Sequence, residues 1–185
     1  MPNSRGSGLP ESFPEKGEPV NAIDGTWSVA GLARDSHKTQ PSVPDMRLLD
    51  SLPFRDVQEL GAYRTAPGMA RRRLSTLLIE WSLGRFEEKA SLVVSELLGN
   101  AVVGAERVTW PAGRPPVKVW LRAGPTMIAL LVGDAIPIAP VPRVAGDDDE
   151  SGRGLFLVGE LSASWGFYFS TESGGKVVWS VIDTP

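Results

Sequence analysis

The chain has 185 residues, a formal net charge of -3 at pH 7 and a sequence pI near 5.3. This charge argues against the clustered basic surface that nucleic acids and anionic membranes require, so we expect neither as a direct partner. Without cysteine, disulfides and cysteine-based zinc sites are excluded, and the single histidine, His37, excludes most histidine metal clusters. No apolar run is long enough for a transmembrane helix and the N-terminus lacks the apolar centre of a secretory signal, so the expected location is cytoplasmic.

Residues 1–45 are rich in proline, glycine and serine, and their apolar residues are isolated and without periodicity. Such a segment cannot bury enough apolar surface to offset the entropy lost on ordering. We therefore predict a flexible N-terminal extension over residues 1–45, with His37 as a solvated side chain, and one folded domain over residues 46–185.

The first elements of the folded domain are a strand and two helices. We interpret LLDSLPF, at 48–54, as a short edge strand, where proline is tolerated. APGMARRRLSTLLIEWSL, at 66–83, places apolar residues at helical spacing, with three consecutive arginines on its solvated side or, alternatively, at a partner surface. A second helix is predicted over residues 86–103, with acidic residues in its first turn and glycines and prolines after it.

Two hairpins complete the predicted fold. The runs VKVWLR and MIALLVGD read as antiparallel strands that end at Asp134, and Trp165 to Val181 holds a second alternating pair. Between them, residues 135–151 form a long loop of the kind that is usually functional, followed by a helix in GRGLFLVGELSASW. The expected fold class is α+β, a two-layer sandwich with helices on one face of a mixed, mainly antiparallel sheet and the other face partly open.

Two polar residues interrupt the apolar second helix. In SELLGNAVVG, Glu96 and Asn100 are four residues apart and share one side of the helix. A carboxylate or amide left unpaired in an apolar setting costs about 1–3 kcal/mol, so we expect a partner nearby. That partner is either a ligand or an arginine such as Arg122 or Arg153.

Two further elements carry potential chemistry. Asp134 ends an apolar strand, although aspartate also commonly starts turns. The stretch SGRGLFLV places Gly152, Arg153 and Gly154 before an apolar helix, where glycines permit close approach of a phosphate to the helix N-terminus, although such glycines are also ordinary in loops.

The order of these elements resembles the GHKL, or Bergerat-fold, ATPases, and more closely the bacterial anti-sigma regulatory factors, also called serine/threonine kinase-like ATP-binding proteins. The resemblance covers residues 48–182 and rests on SELLGNAV, VGDAIP, SGRGLFLV and GGKVVW in that sequence and spacing. It implies a Bergerat fold with ATP and Mg²⁺ as cofactors, and a sigma factor and an anti-anti-sigma STAS protein as partners. Members of the family commonly form homodimers, which makes a homodimer one expectation.

The resemblance also implies a role for particular residues. Asn100 matches the Mg²⁺ ligand and Glu96 the general base that activates the attacking hydroxyl. Asp134 matches the acceptor for the adenine amino group, with Ala135 beside it, and residues 135–151 match the lid. The phosphate-binding turn is matched by Gly152, Arg153, Gly154 and Leu155.

The chain also departs from the family pattern. Ile136 and Ile138 stand where the lid usually has glycines, which bears on how the lid hinges. Val177 stands where many relatives have threonine, which predicts weaker nucleotide binding. The usual histidine or Arg-His after Asn-Ala is replaced by Val102, Val103 and Gly104. The acidic run at 147–150 is predicted to be a solvated face of the lid, with metal binding as the alternative.

Three functions compete at this point. The first is an ATP-binding anti-sigma factor that phosphorylates a serine of a STAS partner, favoured by Glu96 beside Asn100. The second is a non-catalytic module that holds a protein partner, favoured by the missing lid glycines and by Val177. A histidine-kinase catalytic domain is disfavoured because the only histidine lies in the predicted extension.

Overall fold

The computed structural model describes residues 41–140, 154–171 and 174–184. In chain order the elements are α1 (Met46–Ser51), β1 (Phe54–Gly61), α2 (Ala66–Glu80), a 3-10 turn (Gly84–Phe86), α3 (Glu87–Glu106), β2 (Pro116–Ala123), β3 (Met127–Asp134), α4 (Gly154–Leu161), β4 (Ser164–Phe169) and β5 (Lys176–Asp183). The strands form one sheet in the order β1-β2-β3-β5-β4, and each neighbouring pair is antiparallel. The predicted α+β class and both predicted hairpins are confirmed.

The main core lies between one face of the sheet and the layer of α2, α3 and α4. Helix α3 is buried along most of its length, and its apolar side packs on alternate residues of the central strands. The strand residues in this core include Val119, Leu121, Ile128, Leu130, Val132 and Val178. Because side chains alternate between the two faces of a strand, this set defines the helix-facing side of the sheet.

The second face of the sheet carries a smaller apolar cluster. Its strand residues are Trp120, Ala129, Leu131, Tyr168, Val177 and Trp179. Leu49 and Leu52 from the start of the domain pack on them and are themselves buried. The face predicted to be partly open is therefore covered in part by the first residues of the described chain.

The segment before β1 is a helix, so the prediction of a strand at 48–54 is wrong. The Asp45 side chain accepts a hydrogen bond from the Leu48 backbone N–H at 3.1 Å, which caps α1, and Pro53 separates the helix from the strand that starts at Phe54. Packing begins before residue 46, because the Ser42 N–H donates to the Phe167 carbonyl at 2.6 Å. Residues 1–40, including His37, lie outside the described residues.

The two long helices agree with their predictions except at their ends. Helix α2 stops at Glu80, and Trp81 after it stacks on Phe54 with ring centroids 5.1 Å apart. Helix α3 continues through Gly104 to Glu106 rather than ending at Val103. The Trp110 indole N–H donates to the Ala105 carbonyl at 2.9 Å and so satisfies one acceptor in the last turn.

The three consecutive arginines of α2 are exposed, as their prediction as a solvated side requires. They also fan out. Arg71 donates to the Ser95 hydroxyl of α3 at 2.9 Å, whereas Arg73 forms a bidentate ion pair with Asp56 of β1. These arginines therefore tie α2 to its neighbours on either side rather than converging on one point.

Candidate functional site

Glu96 and Asn100 lie along the side of α3 that does not face the main core. Glu96 is partly exposed and Asn100 is exposed, whereas Leu97, Leu98, Ala101 and Val102 beside them are buried. Within residues 41–140, 154–171 and 174–184, neither side chain makes a hydrogen bond or ion pair. Because Asn100 is exposed to solvent, its amide does not need the expected protein partner to offset a cost of burial.

The arginine alternatives for Glu96 have different outcomes. Arg122 is fully buried on β2. It comes two residues after Trp120, so both side chains lie on the same face of the strand, which is the sheet face opposite α3. Arg122 is therefore not the partner of Glu96. Arg153 lies outside the described residues.

The start of α4 lies directly against the Glu96 side chain. A Cβ atom added to Gly154 would overlap Glu96 Oε2 and would lie 3.3 Å from the carboxylate carbon. Only glycine allows this approach without a shift of the carboxylate. The fold thus brings Glu96 together with the helix N-terminus that follows the predicted phosphate-binding turn, where backbone N–H groups and a positive potential favour anions.

Asp134 ends β3 on the helix-facing side of the sheet, and its side chain is 4% exposed. Lys176 is directly opposite in the β3–β5 register, with Nζ 3.0 Å from Oδ1 and 2.8 Å from Oδ2 of Asp134. The Ile136 backbone N–H donates to the same Oδ1 at 2.8 Å. Burial raises the pKa of Asp134 above its ordinary value, against the opposing attraction of Lys176 and the hydrogen bond from Ile136.

Val177 is not part of this site. It belongs to the cluster on the opposite face of the sheet, beside Trp120 and Trp179, and is fully buried there. The Val177 side chain therefore lies on the face away from Asp134, because the residue of β5 on the side of Asp134 is Lys176, and weaker nucleotide binding stays a prediction. Counting the alternation of β5 back from Trp179 places Lys176 and Val177 on opposite faces of the strand, whereas the strand register is needed to place Lys176 beside Asp134.

The turn before β5 packs tightly on the end of β3. A Cβ atom on Gly175 would overlap the Asp134 carbonyl oxygen and would lie 2.6 Å from the Ala135 carbonyl carbon and Cα. Since these are backbone atoms, a larger residue would push the two strand ends apart. Gly175 thus fixes the position of Asp134 relative to Lys176, a role that the motif comparison did not assign.

The remaining predicted site residues have mixed outcomes. Ala135 is partly exposed next to Asp134. The Leu155 side chain is buried in the main core and anchors α4 rather than lining the site. Gly152, Arg153 and the acidic run at 147–150 lie outside the described residues.

The two isoleucines at the start of the predicted lid differ from each other. Ile136 is 5% exposed and packs on α3, since a Cβ atom at Gly104 would lie 3.4 Å from its Cγ1. Ile138 is 65% exposed. The start of the lid is therefore held against the C-terminal half of α3, and Ala139 packs partly buried on the main core, while Ile138 faces solvent.

Comparison with known proteins adds no relative to this description. No protein-family model matches the chain, and no curated protein matches it significantly. In the parts of the chain that the structure describes, no group of three or more His, Cys, Asp or Glu could hold a metal ion, and none of the helices there is both long and apolar enough to cross a membrane.

Taken together, the site has two ends on the same side of the sheet. One end is the Glu96 carboxylate at the start of α4, with the exposed Asn100 amide one turn further along α3. The other end is Asp134 with Lys176. Carboxylate and amide oxygens at the first end suit a hard cation such as Mg²⁺, and the buried carboxylate at the second suits a ligand that donates hydrogen bonds.

Proposed function

We propose that this protein binds Mg-ATP and transfers its terminal phosphoryl group to a serine or threonine of a protein partner, as the anti-sigma factor kinases that its motifs resemble do. The observation that carries this proposal is the contact between Glu96 and Gly154, two residues far apart in the chain. It supports the proposal because it would place a base for the attacking hydroxyl next to backbone N–H groups that can bind the phosphates.

The proposal gives each end of the site a task. Glu96 accepts the proton of the attacking hydroxyl, and the exposed amide oxygen of Asn100 is a ligand for Mg²⁺. When bound, Mg²⁺ supplies charge neutralisation for the phosphates. Asp134 accepts a hydrogen bond from the exocyclic amino group of adenine. Because Asp134 is buried, a base without a donor at that position would leave the carboxylate without this hydrogen bond, which makes the contact selective for adenine.

The proposed partners are those of the resembled family. A sigma factor would be held by the protein in the cytoplasm and released when a STAS protein competes for it. The hydroxyl that Glu96 activates would then belong to that STAS protein. The proposed function needs no direct contact between this chain and nucleic acid, in keeping with its net charge of -3.

A matched pair of variants tests the catalytic step. Glu96→Gln keeps the size of the side chain but removes the base, so we expect Mg-ATP affinity to stay within about threefold while phosphate transfer to a STAS protein falls by about 100-fold or more. Glu88→Gln changes an exposed glutamate in the first turn of the same helix and should leave both unchanged. Calorimetry measures binding and labelled ATP measures transfer. Loss of ATP binding in Glu96→Gln would contradict the role of Glu96 as base.

One observation favours a second function, a non-catalytic module that holds a protein partner. Ile136 packs against Gly104 of α3, so the start of the lid lacks the freedom that two glycines would supply. ATP binding with no transfer to any STAS protein would favour this second function. Absence of ATP binding would rule out the kinase and any form of this module that depends on bound nucleotide.

A further inference from the structure

The second face of the sheet carries two arginines in directly opposite positions of neighbouring strands. Arg55 of β1 and Arg122 of β2 are partners in the β1–β2 register, and both lie on the side of Trp120. Arg122 is fully buried, whereas Arg55 is exposed. Like charges directly opposite each other destabilise a pair of strands, and arginine is almost never fully buried without a partner. This arrangement therefore favours an anionic group beside the two guanidinium groups.

The described surroundings of this arginine pair supply apolar cover and hydrogen-bond donors. Helix α1 packs on this face through Leu49 and Leu52, which carry no charge. The Trp120 indole N–H is buried and has no hydrogen-bond partner among the described residues. The Leu121 carbonyl accepts one hydrogen bond from Arg122, at 3.2 Å. An occupant of this surface therefore has to supply acceptors, and a carboxylate beside guanidinium groups supplies them together with the opposite charge.

The chain before residue 41 arrives at the same face of the sheet. Pro41 forms a parallel bridge with Phe167 of β4. The next residue, Ser42, accepts a hydrogen bond at its carbonyl oxygen from the indole N–H of Trp179, which belongs to the second face. Because the bridge is parallel, the chain reaches Pro41 from the direction of Ser164, at the start of β4.

The arginine pair lies at that same end of the sheet. One row of register partners crosses all five strands through Ser164, Val181, Ala129, Arg122 and Arg55. Neighbouring strands are about 4.8 Å apart, so the row spans about 19 Å. An extended chain covers this distance with about six residues, so a segment more than about ten residues before Pro41 can reach the arginines.

Residues 9–24 have the composition to occupy this surface. They hold four of the five acidic residues of residues 1–40 and a single lysine. Apolar residues are interspersed with the acidic ones, namely Leu9, Phe13, Val20 and Ile23. The surface offers partly buried apolar side chains within two positions of the row of register partners, namely Val57, Met127 and Val181. The segment thus matches the surface in both charge and polarity.

We propose that residues 9–24 of the same chain dock on the second face of the sheet, with a carboxylate of the segment between Arg55 and Arg122. A segment whose composition predicts flexibility then gains its order from a surface that the strands have already formed, as segments too poor in apolar residues to fold alone do on binding. The inference concerns the face opposite Glu96 and does not depend on nucleotide binding.

Trypsin cleavage after Lys16 tests the docking, because this residue lies in the middle of the segment. The initial rate is measured by mass spectrometry in the full-length protein and in a synthetic peptide of residues 1–40. Docking should make cleavage in the protein at least about tenfold slower than in the peptide, since the protease acts on the undocked segment. Arg55→Glu should raise the rate in the protein by at least about fivefold, because it turns attraction for the segment into repulsion.

Arg72→Glu is the matched control, since it makes the same charge change at an exposed position of α2, on the other side of the sheet. It should leave the rate unchanged. Circular dichroism checks that both variants fold, and the comparison of wild-type protein with peptide decides the question if Arg55→Glu does not fold. Equal rates in protein and peptide, or an unchanged rate in folded Arg55→Glu, would overturn the inference. Protection that disappears on about tenfold dilution of the protein would also overturn it, because a second copy would then cover this face.

Discussion

Asp134 occupies a position where two effects on its carboxylate oppose each other. Burial disfavours the charged form, whereas Lys176 and the Ile136 N–H favour it, and the net effect is a pKa raised above the ordinary value near 3.8. The folded protein therefore holds a proton on Asp134 over a pH range in which the unfolded chain has released it. Over that range the free energy of unfolding decreases as the pH rises, because the unfolded state binds fewer protons.

Asp134→Asn should remove this contribution. We expect the stability of the wild-type protein relative to the variant to fall as the pH rises from about 4 through the raised pKa of Asp134, and then to level off. In the variant the buried Lys176 also loses its carboxylate partner, which lowers the stability of the folded state. Denaturant titrations at several pH values measure the difference. Asp183→Asn, at an exposed position of β5, is the control, and the same slope in both variants would contradict the assignment to Asp134.

At the scale of elements, α1 packs on the second face of the sheet and buries part of it. Leu49 is 1% exposed against the cluster that contains Trp120 and Trp179. The Trp179 indole N–H donates to the Ser42 carbonyl oxygen at 2.8 Å, which ties the chain before α1 to β5. The short helix thus covers aromatic surface that would otherwise face water.

Leu49→Ala tests this packing against a neighbouring control. We expect it to lower the free energy of unfolding by about 2–5 kcal/mol, as for other buried leucines that leave a cavity. Leu48→Ala changes a residue that is 43% exposed on the same helix and should cost no more than about 0.5 kcal/mol. Chemical denaturation measures both. Equal effects of the two substitutions would mean that α1 is not part of the cooperative unit.

At the scale of the whole molecule, the proposed site spans elements that are distant in the chain. Helix α3, the start of α4 and the ends of β3 and β5 each contribute to it. A ligand that contacts all of them stabilises the folded state as a unit, since it binds the assembled site and not the unfolded chain.

Mg-ATP should therefore stabilise the wild-type protein against unfolding. At a nucleotide concentration about 100 times the dissociation constant, we expect a gain of about 2.7 kcal/mol, visible as a rise in the thermal midpoint. Asp134→Asn should show a smaller rise at the same concentration because a buried hydrogen bond to the base is lost. Glu88→Gln should show the full rise. An unchanged midpoint in the wild-type protein would count against nucleotide binding at this site.

Much of the fold could be predicted from local patterns. Apolar residues such as Leu74, Leu77 and Leu78 recur at helical spacing, and the strands of both hairpins alternate between turn residues, so each element is specified by nearby residues. Helix α1 was not predicted because its six residues are too few to show the helical period of apolar residues. Its formation depends on the Asp45 cap and on packing of Leu49 against strands formed much later in the chain.

The candidate site divides in the same way. The sequence by itself determined the elements that carry Glu96, Asn100 and Asp134, because helical spacing and strand alternation are local properties. Only the tertiary structure decided that Gly154 meets Glu96 and that Lys176, rather than Val177, lies beside Asp134. The physical reason is that strand register and helix packing are set by contacts between distant parts of the chain, and a register shift of one residue would exchange the two faces of β5.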